Sequence, residues 1–232
     1  MRRIALTATL LLACAGTASA ADLLTRKGPA LAPLPIFTWT GAYVGAQIGH
    51  SWGRDRTREF FTANGAFTGL EWRYNANSVF GGLHAGYNVQ LGMFVAGAEG
   101  DVDLMDARGG FVDPGGRGVV NQRWQASLRG RLGVAFDRVL LYGTGGAAFS
   151  NFKYVYTNPF TGQSEGPTTT RTGYTLGVGA EYAFTDNLTG RLEFRHTDYG
   201  SFRYVATSAF LGLTGQQSPR TNALRAGVSY KF

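Results

Sequence analysis

Cysteine is nearly missing from this chain: Cys14 is the only one, and it sits within the first twenty residues. If that stretch is removed, what remains can form neither a disulfide nor a thiolate nucleophile. Charge is scarce as well, at 16% of residues, low for a surface meant to face water on all sides. Past the start there is no run of eighteen apolar residues, so helical membrane spans are excluded. Glycine, by contrast, accounts for 34 of 232 residues and aromatics for 13%, the glycine share being about twice the usual one.

The opening "MRRIALTATLLLACAGTASA" has a basic start at Arg2 and Arg3 and an apolar run from Ile4 to Ala13. An Ala18-Ser19-Ala20 site then precedes "ADLL". This is the three-part layout of a secretory signal peptide, with cleavage expected between Ala20 and Ala21. Leu11-Leu12-Ala13-Cys14 loosely resembles a lipoprotein box, but leucine before the small residue fits it poorly and a second site follows. Cleavage at Ala20 takes Cys14 away, and 232 less 20 leaves 212 residues. Losing Arg2 and Arg3 lowers the formal charge from +7 to +5. The remaining bases are dispersed and the chain is exported, so nucleic acid is excluded as a partner. Lipid phosphates are the natural counter-charge. Residues 21–38 carry Pro29, Pro33 and Pro35 and read as an extended leader; residues 39–232 form the rest.

From there the pattern has period two. In "TNALRAGVSYKF", Leu224, Ala226, Val228, Tyr230 and Phe232 alternate with Ala223, Arg225, Gly227, Ser229 and Lys231. The same alternation returns around Leu192 and Phe194, Tyr174 to Phe184, Trp124 to Phe136, Phe94 to Leu104 and Val79 to Val89. Two glycine-rich stretches, 40–52 and 138–152, read as strands too. Eight strands result. Three connections are tight, at 90–92, 137–138 and 185–187. Four are long and polar, at 54–76, 105–119, 155–169 and 200–220. Short and long alternate, so all turns lie at one end and all loops at the other, which requires antiparallel strands in even number.

Alternation alone does not choose the solvent, and a secreted β-sandwich would show it as well. Four features choose lipid: the signal peptide, aromatics at strand ends, the turn–loop asymmetry, and charges halfway along the strands. Hydrocarbon cannot satisfy an open sheet edge, so the sheet must close. The expected fold is therefore an all-β, eight-stranded antiparallel transmembrane β-barrel with short periplasmic turns and long extracellular loops. Its last strand pairs with its first.

"PIFTWTGAYVGAQIGHSWG", "LLYGTGGAAFSNF", "LEFRHTDYGS" and the ending "NALRAGVSYKF" resemble the small bacterial outer-membrane β-barrel family. The resemblance is to its RopB-type porin-like surface proteins, OmpA/OmpX-like eight-stranded barrels, and covers nearly all of the mature chain. It implies the cell outer membrane as location, and lipopolysaccharide and the barrel-assembly machinery as partners. It also implies that the terminal aromatic Phe232 is read as the insertion signal. His196 departs from the pattern, since relatives commonly carry an aromatic there. Some relatives bind haem compounds, which by resemblance makes His50 and His196 candidate ligands.

Inside the expected barrel lie Glu99, Asp101, Asp103, Glu181 and Glu193, with Arg129, Arg131, Arg191, Arg195, Arg225 and Lys231. An eight-stranded interior is only wide enough for side chains or one small ligand, and buried charges persist when paired. The expected function is a monomeric surface protein serving envelope integrity, plugged by these ion pairs. The alternatives are a narrow porin for small solutes and a surface protein whose loops bind haem or a host surface. No enzyme, cofactor or metal site is expected. His196, Asp198 and Ser201 are near in sequence, but alternation puts them on different faces. His84 points inward as a hydrogen-bonding residue without the spacing of a metal site. The segment "RDRTREFFTANGAFTGLEWRYNA", rich in arginine and aromatics, is either a solvated loop or a clasp for lipid phosphates.

Overall fold

The computed structural model describes residues 37–113 and 116–232, so the signal peptide and residues 21–36 of the leader lie outside the described residues. The strands are β1 (Gly41–Phe61), β2 (Phe67–Leu91), β3 (Phe94–Asp113), β4 (Gly116–Phe136), β5 (Val139–Thr157), β6 (Ser164–Glu165), β7 (Thr168–Ala183), β8 (Leu188–Asp198), β9 (Phe202–Val205), β10 (Leu213–Gln217) and β11 (Arg220–Lys231). Pairing runs β1-β2-β3-β4-β5-β7-β8-β11, and β11 returns to β1. The closing seam is antiparallel, from Tyr43 opposite Lys231 to Arg54 opposite Arg220. Eight strands therefore form a closed ring, as the alternation implied. The short strands β6 and β10 pair onto the extended ends of β5 and β1, and β9 pairs with β10.

At one end the strands reverse in tight turns. Gly92 and Asp137 adopt φ of 61° and 52° there, a left-handed conformation that glycine and aspartate tolerate. At the other end the strands run much further than the ten or so residues a tilted membrane crossing needs. β1 has 21 residues and β2 has 25. Most of segments 54–76 and 105–119 is thus paired strand rather than irregular loop, while 155–169 holds the end of β5, the two-residue β6 and the start of β7 within a loop. The reason is visible in the residues: Arg54, Arg56 and Arg58 still alternate with Asp55, Thr57 and Glu59. Period two continues, but the outward residues become charged. Segment 200–220 instead folds back as the β9–β10 hairpin.

The two faces are sharply different. Leu83, Leu104, Leu128 and Leu132 point outward and are 65–70% exposed, whereas inward Asp103 and Arg225 are at most 1% exposed. An apolar belt thus circles the outside, as a barrel in lipid requires. The interior is layered along the axis. At the turn end Phe37 and Trp39 fold in against Val95, Leu140 and Tyr142. Trp39 donates its backbone N–H to Gln90 Oε1 (2.8 Å) and its indole N–H to the Asp137 carbonyl (3.2 Å). Toward the hairpin end lie Phe80 and Met105, then an aromatic cluster that includes Tyr74, Phe152, Tyr154, Tyr199 and Phe202.

The inward glycines set how closely neighbouring strands can pack. A Cβ on Gly146 would fall on the Leu128 carbonyl oxygen and 2.6 Å from Arg129 Cα, both backbone atoms that cannot swing aside. On outward Gly130 the nearest atom would be 3.8 Å away. Gly146→Val should therefore cost about 1–3 kcal/mol or more through overpacking, while Gly130→Val should refold like the wild type. The fraction of heat-shifted barrel on unboiled gels after refolding into lipid measures both.

Candidate functional site

The middle of the barrel collects the charges. Parity brings Glu99, Asp101 and Asp103 from β3 onto the inner face opposite Arg129 and Arg131 of β4. Arg191, Glu193 and Arg195 of β8 and Arg225 of β11 arrive from the far wall. Glu99 binds Arg129 and Arg191, each at 2.5 Å, and accepts the Tyr43 hydroxyl at 2.8 Å. Asp101 meets Arg195 at 2.9 Å, Arg129 at 3.1 Å and Arg225 at 3.4 Å. Asp103 meets Arg225 at 2.7 Å and accepts amide N–H groups from Gln47 (2.6 Å) and Gln125 (3.0 Å). Glu193 bridges Arg129 (2.9 Å) and Arg195 (2.8 Å). Glu181 pairs with Arg131 and accepts the Thr189 hydroxyl at 2.6 Å.

Five carboxylates and five guanidiniums thus form one connected cluster, with every member less than 10% exposed. Two of the guanidiniums also lie over rings: Arg131 is 3.7 Å from the centroid of Tyr142, and Arg225 is 4.6 Å from that of Phe80. Sequence reasoning placed the charges but missed partners on the glycine-rich strands. Tyr43, Gln47 and Tyr142 gave no signal, because alternation is blurred where glycine occupies both faces.

Lys231 requires a correction. It faces inward as expected, but among the described residues it makes no ion pair. Its ammonium donates to the Thr38 carbonyl and lies 4.6 Å from the Phe37 ring centroid. The cause is its position at the last inward site of β11, below the acidic layer. Phe232 is 71% exposed at the turn end, and Ala20 and Ala21 lie outside the described residues.

The remaining sequence candidates do not converge. His196 points outward and bonds through Nδ1 to Asn222 Oδ1 at 2.8 Å, while Asp198 pairs with Arg220 at 2.8 Å. Outward-facing His50 stacks on Trp52 with centroids 6.1 Å apart. His84, buried, bonds through Nε2 to Ser229 Oγ at 2.8 Å. Among the described residues no group of three metal-ligating side chains gathers.

Above the aromatic cluster, the hairpin end encloses a cavity of about 470 Å³. Leu70, Trp72, Phe111, Tyr156, Phe210 and Leu213 are among the residues that line it. Glu165, on β6, anchors one side. Its carboxylate accepts the N–H groups of Thr207 (2.8 Å), Ser208 (2.9 Å) and Phe210 (2.9 Å) and the Tyr204 hydroxyl (3.0 Å). Partial burial pushes the Glu165 pKa up, but these donors outweigh it and hold the carboxyl at about 2.

Two outcomes follow. Arg129 serves Glu99, Asp101 and Glu193 together, so Arg129→Ala should lower stability by about 3–5 kcal/mol. Arg138→Ala, which removes the exposed pair with Asp186, should cost less than about 1 kcal/mol. Urea midpoints of the lipid-embedded barrel separate the two. The Glu165 latch has a depressed pKa, so its contribution is present above the ordinary glutamate value near 4.5 and is lost as pH falls toward 2. Amide exchange at Thr207, Ser208 and Phe210 should accelerate over that window, and Glu165→Gln should accelerate it at neutral pH.

Comparison with known proteins agrees with this geometry. A family model described as outer membrane protein beta-barrel domain matches residues 7–232. The 25 kDa outer-membrane immunogenic protein of Brucella canis is 31% identical over 100% of this chain and 99% of its own length. The 22 kDa outer membrane protein of Rhizobium leguminosarum bv. viciae is 36% identical over 66% of each chain. Among solved structures, the outer membrane protein OprG from Pseudomonas aeruginosa superposes with a TM-score of 0.58 at 13% identity. The match covers 83% of this chain and 96% of OprG, a likeness of fold. The closed eight-stranded ring, the apolar belt and the whole-length match together place the chain in the outer-membrane β-barrel protein family, and in the outer membrane.

Proposed function

We propose that the protein is a monomeric surface barrel that supports envelope integrity, its interior closed by the ion-pair cluster rather than open to solutes. The observation that carries this reading is the connectivity of the ten buried charges. Arg129 lies within 3.1 Å of Glu99, Asp101 and Glu193, so the cluster ties β3, β4 and β8 across the lumen. Passing an ion would mean parting buried pairs, where separating charges costs several kcal/mol each. Apolar layers on both sides of the cluster add to the barrier. The immunogenic relative from Brucella canis supports exposure at the cell surface.

The outer wall supports the proposed lipid partner. Arg54, Arg73, Arg108, Arg123, Lys153 and Arg220 are exposed beyond the apolar belt at the hairpin end. Guanidiniums at that level suit the phosphates of lipopolysaccharide, which they can bind in bidentate fashion. Exposed Phe232, on the strand that closes the ring, suits recognition by the barrel-assembly machinery.

A narrow porin is the second reading, because Asp101 and Glu193 each touch more than one arginine and so could exchange partners. Single-channel recording of the refolded barrel in a planar bilayer decides between the two. Silence from inserted wild-type protein is expected. Stable current steps that grow in an Arg129→Ala, Glu193→Ala double variant would establish the gated pore instead.

A further inference from the structure

The cavity at the hairpin end takes no part in closing the barrel. It lies above the charged layer and is separated from it by the aromatic cluster of Tyr74, Tyr154 and Phe202. Phe111 and Tyr156 of the cavity wall pack on that cluster, and Tyr154 within it is 1% exposed, so the cluster closes the floor beneath them. Its volume of about 470 Å³ falls in the range of sites that enclose drug-sized molecules, roughly 300–1,000 Å³. Water gains little from such a wall, because few lining groups are free to bond with it. The Glu165 carboxylate is taken up by backbone and hydroxyl donors of residues 204–210. The Tyr156 hydroxyl accepts the Gln217 amide at 2.7 Å, and Glu59 is itself engaged.

What the wall offers is ring surface. Trp72 and Phe111 stack with centroids 4.6 Å apart and planes within 11°, and both border the cavity beside Tyr156 and Phe210. A flat apolar solute can continue that stack and displace poorly bonded water, which is favourable in proportion to the apolar area covered. An ionic solute would lose its hydration against this mostly apolar wall without replacement.

The geometry points to a blind binding site at the outer mouth for a neutral, planar aromatic molecule taken from the external medium and held against Trp72 and Phe111. It is a site of capture and not of passage, since its floor is the sealed aromatic cluster. The latch at Glu165 keeps the Tyr204 and Phe210 side of the wall in place.

Photolabelling tests this with the full-length mature barrel in phospholipid nanodiscs, using a naphthyl diazirine as probe and 2-naphthol as competitor. Label is expected at Trp72, Phe111 or Tyr156, suppressed by 2-naphthol. Ala206→Trp should fill the cavity, and Phe111→Ala should remove one stacking face. Each should lower labelling there by about tenfold, while the heat-shifted gel band shows that the barrel still folds. Having two variants keeps the test decisive if one fails to fold. Label confined to outward residues such as Leu83 and Leu104 would mean the probe merely dissolves in lipid, and would overturn the proposal. Mouth labelling that is unchanged in the folded variants, or not competed, would overturn it too.

Discussion

Everything in this molecule depends on one constraint: hydrocarbon offers no hydrogen bonds, so a sheet that crosses it must satisfy every backbone group within itself. The β1–β11 seam meets that demand, with paired residues from Tyr43–Lys231 up to Arg54–Arg220. Closure has two consequences. It fixes the parity of every residue, because a slip of one position would turn the leucines inward and the arginines into lipid. It also fixes the bore, since eight strands leave room only for side chains or one small ligand.

Charge inside such a bore must be mutual. Each carboxylate of the cluster meets at least one guanidinium, and Asp101 meets three. The long arginine side chains fit because small residues face them: a Cβ on Gly227 would sit 3.2 Å from Arg191 Nε. Glycine abundance and buried arginine are thus two sides of one packing solution. The apolar layers at both ends bury the cluster, which lowers the local dielectric and strengthens the pairs they enclose. The same layers raise the penalty for an unmatched charge within the cluster, where five carboxylates meet five guanidiniums; inward Asp55, above them, is buried with no ion pair among the described residues. Lys231 escapes that balance only because it reaches the Thr38 carbonyl and the Phe37 ring at the edge.

Much of this was legible in the sequence, and the reason is parity. A period of two carries its facing information locally, so the inward positions of Glu99 to Asp103, Arg129, Arg131 and Arg191 to Arg195 could be read without any long-range knowledge. Who pairs with whom could not. Arg191 and Glu99 are 92 positions apart, and their meeting depends on the curvature and stagger of the whole ring. Strand length was read too short for a different reason. Polarity was taken as the mark of a loop, yet "RDRTREFF" keeps its alternation while changing solvent. The cavity was illegible altogether, since Leu70, Trp72, Phe111, Tyr156 and Phe210 come from separate hairpins.

That change of solvent also explains the cavity at the hairpin end. Within the lipid band the outside is apolar, which leaves the inside as the place for polar groups and lets ion pairs fill it. Above the band water bathes the outer wall, so Arg54, Arg56 and Arg58 point outward and aromatic side chains share the inside with Asp55 and Thr57. There the barrel follows the ordinary rule of soluble sheets, and Trp72, Phe111 and Tyr156 occupy the interior. The ring still cannot narrow, because its strand number is fixed below. Aromatic rings lining a bore of constant width leave space between them, whereas interlocked arginines do not. At the turn end the strands stop at the membrane edge, and Phe37 and Trp39 fill the mouth instead. The asymmetry between a filled end and a hollow end therefore follows from how far the strands run past the lipid.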